Sequence, residues 1–206
     1  MMNFLRRALN ILVRPRSEWR IIKAERTSTA ALFFSYILAI CGIQLLANLA
    51  LSAQPFAGSA GPKLLGLFTW RDLVLALLAF IENIINIFVF GAILNAICSR
   101  FIAQTGRTAG YKIAAYASTV LVIPILFLAA PTWFFKAVAI ASIVYFIYLV
   151  YLAVVIVMDI PGKPAAWYAS GSLAAAIAAL WIVDSAFDRF IDYVNTALNG
   201  AAHGMH

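Results

Sequence analysis

The stretch FIENIINIF, residues 80–88, sets Glu82 four positions before Asn86, so that both point to nearly the same face of a helix, with Asn83 on the adjoining one. An ionisable side chain in such apolar surroundings is the most informative single residue of the chain. Burying a carboxylate costs several kcal/mol unless it is paired or protonated, so Glu82 is expected to face protein or a water-filled cavity rather than lipid. Upstream, Gln44 and Asn48 repeat the i, i+4 spacing. Glu82 and Gln44 each fall a few Å to the same side of their hydrophobic segment's centre, and can therefore meet. Two chemistries fit this set of Gln44, Asn48, Glu82 and Asn86: a proton or solute relay, or interhelical hydrogen bonds that hold two segments together. A transporter would be expected to carry a second ionisable residue at comparable depth. Asp184 is the other acid in a hydrophobic segment, and its position predicts the water-accessible outer end.

The second constellation is basic. On a helical wheel, Phe4, Leu5, Ala8, Leu9, Ile11, Leu12 and Val13 share one broad arc, whereas Arg6, Arg7, Asn10 and Arg14 occupy the rest. Such a helix is too short to cross a bilayer and is expected to lie in the headgroup plane with its arginines toward water and anionic lipid. Pro15 ends it. A second piece is expected to open at Ser17 and carry Trp19, Ile21 and Ile22 toward the first hydrophobic segment, with Trp19 suited to the interface. Arg6, Arg7, Arg14, Arg16 and Trp19 are thus the candidate lipid or partner surface, although the same arginines would also serve simply to fix topology.

No catalytic motif accompanies these groups. HExxH, GxSxG with a downstream His, CxxC pairs, GxxxxGK[ST] and GxGxxG are all absent, so no catalytic residue, metal site or cofactor is expected. His203 and His206 lie in the tail AAHGMH, where a mobile end is the simpler reading than a weak metal site. Cys41 and Cys98 fall inside or at the ends of hydrophobic segments and read as small packing residues.

The elements that must position these residues follow from composition. The chain has 206 residues, 65% hydrophobic and 11% charged, with a mean hydropathy of +0.95. Soluble domains carry about 25% charged residues, so this is an integral membrane protein. Apolar runs at 30–53, 73–98, 113–130, 137–158 and 166–187 are long enough to cross a hydrocarbon core of about 30 Å as helices. The fold class is therefore an all-α integral membrane protein, with five transmembrane helices and a short amphipathic N-terminal helix. The segments divide into a basic region 1–29, a membrane domain 30–187 and a tail 188–206. A cleaved signal peptide fits less well, because the first run of 24 residues exceeds an h-region of about 7 to 15. Eleven Lys and Arg fall on the side of the N-terminus and four on the other, which predicts a cytoplasmic N-terminus and a C-terminus outside. The same topology accounts for the sequence pI of about 9.7 without invoking nucleic acid.

Small residues in ASGSLAAAIAA, 169–179, would admit a neighbouring backbone, either within the chain or in a homo-oligomer. Tyr145, Tyr148 and Tyr151 recur every three residues, and buried hydroxyls among them need partners. Pro124 is placed to kink its segment.

Three stretches taken in order, LVRPRSEWRIIKAE, GYKIAAYAST and YLVYLAVVIVMDIPGKPAAWYA, resemble the Yip domain family of Ypt- or Rab-interacting membrane proteins. Pro15 and Trp19 are similar to the family's Pro and aromatic before the first span, Tyr116 and Thr119 to its Tyr-Ala-x-Thr pattern, and Tyr151, Met158 and Pro161 to the end of its fourth span. The family's Pro after that Thr is Val120 here, and the Asp-Leu-x-Gly-Pro signature of eukaryotic members is missing. The short basic N-terminus is more similar to bacterial members, which implies the bacterial inner (cytoplasmic) membrane. The resemblance implies five spans and a non-enzymatic scaffold or adaptor, vesicle-trafficking-like in its eukaryotic relatives. Such a protein binds a protein partner or anionic lipid and organises the membrane. The alternative is a small transporter or channel built around Glu82.

Overall fold

A computed structural model describes residues 4–52, 63–64, 68–99, 108–127, 130–160 and 163–203. Two short helices, α1 (Phe4–Val13) and α2 (Pro15–Ala24), precede five helical segments long and apolar enough to cross a membrane: Thr29–Leu51, Trp70–Ile97, Ala109–Phe127, Thr132–Val157 and Ala166–Thr196, here spans one to five. Pro15 does more than end α1. It is the first residue of α2, where its fixed φ suits a helix start and its missing N–H is no loss, so α2 opens two residues before the expected cap at Ser17.

Local chemistry sets the other helix starts. The Ser28 hydroxyl accepts the amide of Ala31 at 3.1 Å at the head of span one. Ahead of span two, a minimal hairpin pairs Lys63 with Thr69 and Leu64 with Phe68. Thr69 and Asp72 then form a reciprocal capping box: the Asp72 amide donates to Thr69 Oγ1 at 3.2 Å, and the Thr69 amide to Asp72 Oδ2 at 2.7 Å.

Span three departs most from a regular helix. Ala109–Ala117 is α-helical, and Ser118–Phe127 continues as a 3-10 helix through Pro124. Proline cannot donate to the carbonyl four residues back, while the Ser118 and Thr119 hydroxyls bond the Ala114 and Tyr116 carbonyls, both at 2.7 Å. Pro124 thus replaces the expected kink by a change of helix type. Because the 3-10 form rises about 2.0 Å per residue, these 19 residues extend about 33 Å, enough to cross.

Span five is the longest element, helical from Lys163 to His203. The expected end at 187 gives way to a continuous helix as far as His203, since nothing from Asp188 to Leu198 breaks it, while the end of the tail with His206 lies outside the described residues. Spans two and five run antiparallel, with the Arg71 guanidinium donating to Asn195 Oδ1 at 2.9 Å at one end. Ala169, Ser172 and Ala176 of the small-residue stretch are buried within the chain, whereas Gly171, Ala174 and Ala178 stay exposed.

The core is not centred. Its fully buried large side chains, including Ile11, Trp19, Ile22, Leu32, Ile37, Ile113, Leu149 and Met158, gather in the half of the bundle beside α1 and α2. Spans two and three touch most intimately, at Gly91 and Gly110.

Candidate functional site

Helices α1 and α2 fold back on each other as a hairpin against spans three and four, rather than lying free in a headgroup plane. Arg7 is the reason. It is buried, with 7% of its surface exposed, while its sequence neighbour Arg6 is exposed. Its Nη1 donates to Glu25 Oε2 at 2.6 Å and to the Tyr116 hydroxyl at 3.0 Å, and its Nη2 donates to Glu25 Oε1. The guanidinium carbon stands 5.2 Å from the centre of the Tyr116 ring. Glu18, also buried, places Oε1 3.5 Å from Arg7 Nε, an ion pair without a hydrogen bond, while its Oε2 accepts from Asn10 Nδ2 at 3.1 Å. One arginine thus joins α1, α2 and span three.

The spans also close both helices of the hairpin. The last carbonyls of a helix lack internal partners. Tyr145 of span four donates its hydroxyl to the Leu12 carbonyl at 2.8 Å, which caps α1. Lys112 of span three donates to the carbonyls of Ile22, at 3.1 Å, and Glu25, which caps α2 and sets a cation at the negative end of its dipole. Lys23 pairs with Asp159, an exposed bridge of small energetic weight. Trp19 is sealed inside the hairpin, with its Nε1 unpartnered, and does not occupy the expected interfacial position.

Two residues of the pattern noted in span three do specific work here. Tyr116 receives Arg7, and Thr119 Oγ1 lies 2.7 Å from the Tyr36 hydroxyl of span one, with the Tyr36 and Tyr116 rings meeting edge-on at 4.4 Å. Tyr151 is exposed on span four, and Pro161 lies outside the described residues.

The hydrogen bonds from Arg7 hold the Glu25 carboxyl below the usual range, against the opposing effect of burial; the same bonds hold the arginine above its ordinary value. A depressed carboxyl contributes stability that is present above its unfolded pKa of about 4.3 and lost as pH falls through the lower folded value. Protection factors of α1 amides should therefore fall below about pH 4, and in Glu25→Gln they should be low already at neutral pH and lack this acid step.

The hairpin leaves a different basic set outside. Arg6, Arg14, Arg16 and Arg20 are exposed, and an open cleft of about 410 Å³ is lined by Arg14, Pro15, Arg16, Ser17, Arg20 and Tyr148. Arg20 and Tyr148 were not singled out as lipid or partner contacts by the wheel of residues 4–14, because they come from α2 and span four. Leu5, Leu9 and Val13 are 66%, 61% and 73% exposed, so α1 has one apolar arc against protein and another facing outward.

The intramembrane polar set is arranged differently from the expected pairing of spans one and two. Glu82 hydrogen-bonds Asp184, and Asn86 donates to Asp184 Oδ1 at 3.0 Å, so the contact joins spans two and five. Asp184 lies near the middle of span five, because the helix runs on past 187. Gln44 does reach the neighbourhood, since it shares with Asn83, Asn86 and Ser118 a cavity of about 200 Å³. Gln44 Oε1 and Asn86 Oδ1 are buried there without a hydrogen-bond partner. Asn48 lies one turn beyond Gln44, half-buried.

Among known proteins, the model of the Yip1 domain matches residues 9–183 of the chain. No curated protein and no solved structure matches it. The matched region begins within α1, two residues after Arg7, so α2, Glu18, Glu25, Tyr116 and the first half of span five lie inside it, whereas Arg7 and Asp184 lie outside.

Proposed function

The chain belongs to the Yip1 domain family, and from that premise we propose that it is a non-enzymatic membrane scaffold or adaptor, which offers a rigid basic surface to a protein partner or to anionic lipid and so organises the membrane around it. The supporting observation is the locked hairpin: Arg7 ties α1 and α2 to span three while Arg6, Arg14, Arg16 and Arg20 stay exposed on its outside. A surface held by the bundle loses little conformational entropy on binding. The basic bias supports a cytoplasmic N-terminus and basic face with the C-terminus outside, and the short basic N-terminus, similar to that of bacterial family members, supports a bacterial inner membrane. Affinity capture from detergent tests the reading. A specific partner or lipid should co-purify with wild type and be lost from R6Q/R14Q/R16Q/R20Q, and equal retention by both would overturn it.

A transporter or channel is the second reading, favoured by one observation. Asp184 supplies the second ionisable residue at a depth comparable to Glu82, bonded to Asn86, which also lines the cavity shared with Gln44 and Asn83. The readings separate at Glu82→Gln, which can still hydrogen-bond. A scaffold keeps its thermal stability and partner capture, whereas a proton relay loses vesicle proton flux by a hundredfold or more, the scale of removing a positioned acid–base group.

A further inference from the structure

The cleft at the start of α2 has a composition that the scaffold reading alone does not require. Three arginines, Arg14, Arg16 and Arg20, line it together with Ser17, Pro15 and Tyr148. The acids nearest in sequence are committed elsewhere: Glu18 turns inward to Asn10 and Arg7, Glu25 is held by Arg7, and Asp159 is held by Lys23. Among the described residues, no ion pair neutralises any of the three arginines. Arg14 and Arg16 stand at the start of a ten-residue helix, whose positive dipole end adds to their field, and Arg20 follows one turn later. Guanidinium groups converging on an open cleft suit a phosphate, which takes planar, bidentate hydrogen bonds.

The walls narrow the choice of anion. Tyr148 belongs to span four, and beside it on that span Val144, Ile147 and Tyr151 are 62%, 46% and 37% exposed. Val13 flanks Arg14, and with Leu5 and Leu9 it makes an outward apolar stripe along α1. A free anion has no use for these surfaces, and a soluble acidic peptide would leave the span's apolar flank uncovered. An occupant with an anionic head and aliphatic tails covers both.

We propose that Arg14, Arg16 and Arg20 form a seat for the phosphate of one anionic phospholipid, whose acyl chains lie against the exposed apolar side of span four and the outward stripe of α1. The proposal rests on the basic-surface reading above and narrows it to a single ligand class and a defined stoichiometry. Tyr148 lines the cleft from span four, where its amphipathic ring suits an occupant that is polar at one end and apolar at the other.

Charge-matched variants test it. R14Q/R20Q removes two cleft charges, and K23Q/R26Q removes two exposed charges of the same N-terminal region that do not line the cleft. Each full-length protein is reconstituted in phosphatidylcholine nanodiscs with a tenth phosphatidylglycerol, and retained lipid is counted by native mass spectrometry. Thermal melts check that each variant remains folded. The expected result is one retained phosphatidylglycerol per wild-type chain, with affinity reduced on the order of thirtyfold in R14Q/R20Q, the effect of two basic residues at an anionic surface, and unchanged in K23Q/R26Q. Equal losses in both variants would show a diffuse electrostatic field and overturn the seat while leaving the basic surface intact. Displacement of the lipid by inorganic phosphate at comparable concentration would identify a free-anion site and overturn the lipid assignment. Absence of any preference for phosphatidylglycerol in wild type would overturn the seat, and a captured protein lost from R6Q/R14Q/R16Q/R20Q would then leave the scaffold standing on its partner alone.

Discussion

Arg7→Met should destabilise the protein by about 3–5 kcal/mol, the cost of leaving a buried charge without its partner. Methionine replaces the aliphatic stem of the arginine, so the loss is not one of volume. What remains is a Glu18 carboxylate with 1% of its surface exposed and no facing cation, a Glu25 carboxylate stripped of two hydrogen bonds, and a Tyr116 hydroxyl without its donor. The hairpin is expected to open, because α1 has few other polar ties to the bundle than the bond from Tyr145 to Leu12. Thermal unfolding in detergent reads the stability, and limited proteolysis between residues 4 and 24 reads the opening. Arg7→Lys should behave almost as badly, since an ammonium cannot hold Glu25 bidentately and reach Tyr116 at once. Adding Glu18→Gln and Glu25→Gln to Arg7→Met should recover part of the loss, because neutral amides are cheaper to bury than carboxylates. Arg6→Met, one residue away and exposed, should stay within about 0.5 kcal/mol of wild type. A stable, protease-resistant Arg7→Met protein would mean that the hairpin is held by apolar packing alone.

The contrast between Arg6 and Arg7 marks where the sequence stops being legible. The five spans could be read because bilayer thickness imposes a length on any crossing helix, and α1 could be read because its residues alternate with helical period. A wheel sorts residues by polarity, however, and cannot say which polar residue meets a partner from another element. Arg7 and Arg6 differ by 100° on that wheel, and the partners that bury Arg7 lie 11, 18 and 109 positions away, at spacings with no local signature. The pairing of Asp184 was hidden for another reason. Ending span five at 187 placed this residue at the water boundary, whereas the helix continues to His203 and sets it opposite Glu82 and Asn86. Acids and an arginine between 184 and 192 lower the hydropathy without breaking the helix, so polarity misplaced an end that backbone propensity does not supply. The glycines of spans two and three carried no warning either, because a lone glycine in a membrane helix is common.

Those glycines support the second large effect. A Cβ at Gly110 would overlap the carbonyl oxygen of Gly91 and come within 2.7 Å of Asn95 Oδ1, and a Cβ at Gly91 would stand 2.9 Å from the Cα of Tyr111. Backbone atoms cannot rotate away as a side chain's end can, so the helices themselves must separate. Gly110→Ala is therefore expected to cost about 3 kcal/mol or more, at the upper end of overpacking substitutions. It also strains the bond from the Gly110 amide to Asn95 Oδ1, at 2.7 Å, which satisfies one of the orphan donors in the first turn of span three. Gly171 gives the opposite sign. Nothing lies within 4 Å of its added Cβ, and a glycine inside a helix is less favourable than alanine by about 0.5–1 kcal/mol, so Gly171→Ala should stabilise. The effect of Gly110→Ala should also reach residues it does not touch. Span three carries Lys112, which caps α2, and Tyr116, which receives Arg7, so displacing its first turn withdraws both anchors from the hairpin. Protease cutting between residues 4 and 24 should rise in Gly110→Ala as it does in Arg7→Met, while Gly171→Ala leaves it unchanged. A loss of thermal stability in Gly110→Ala without faster cutting there would show that the hairpin grips span four rather than span three.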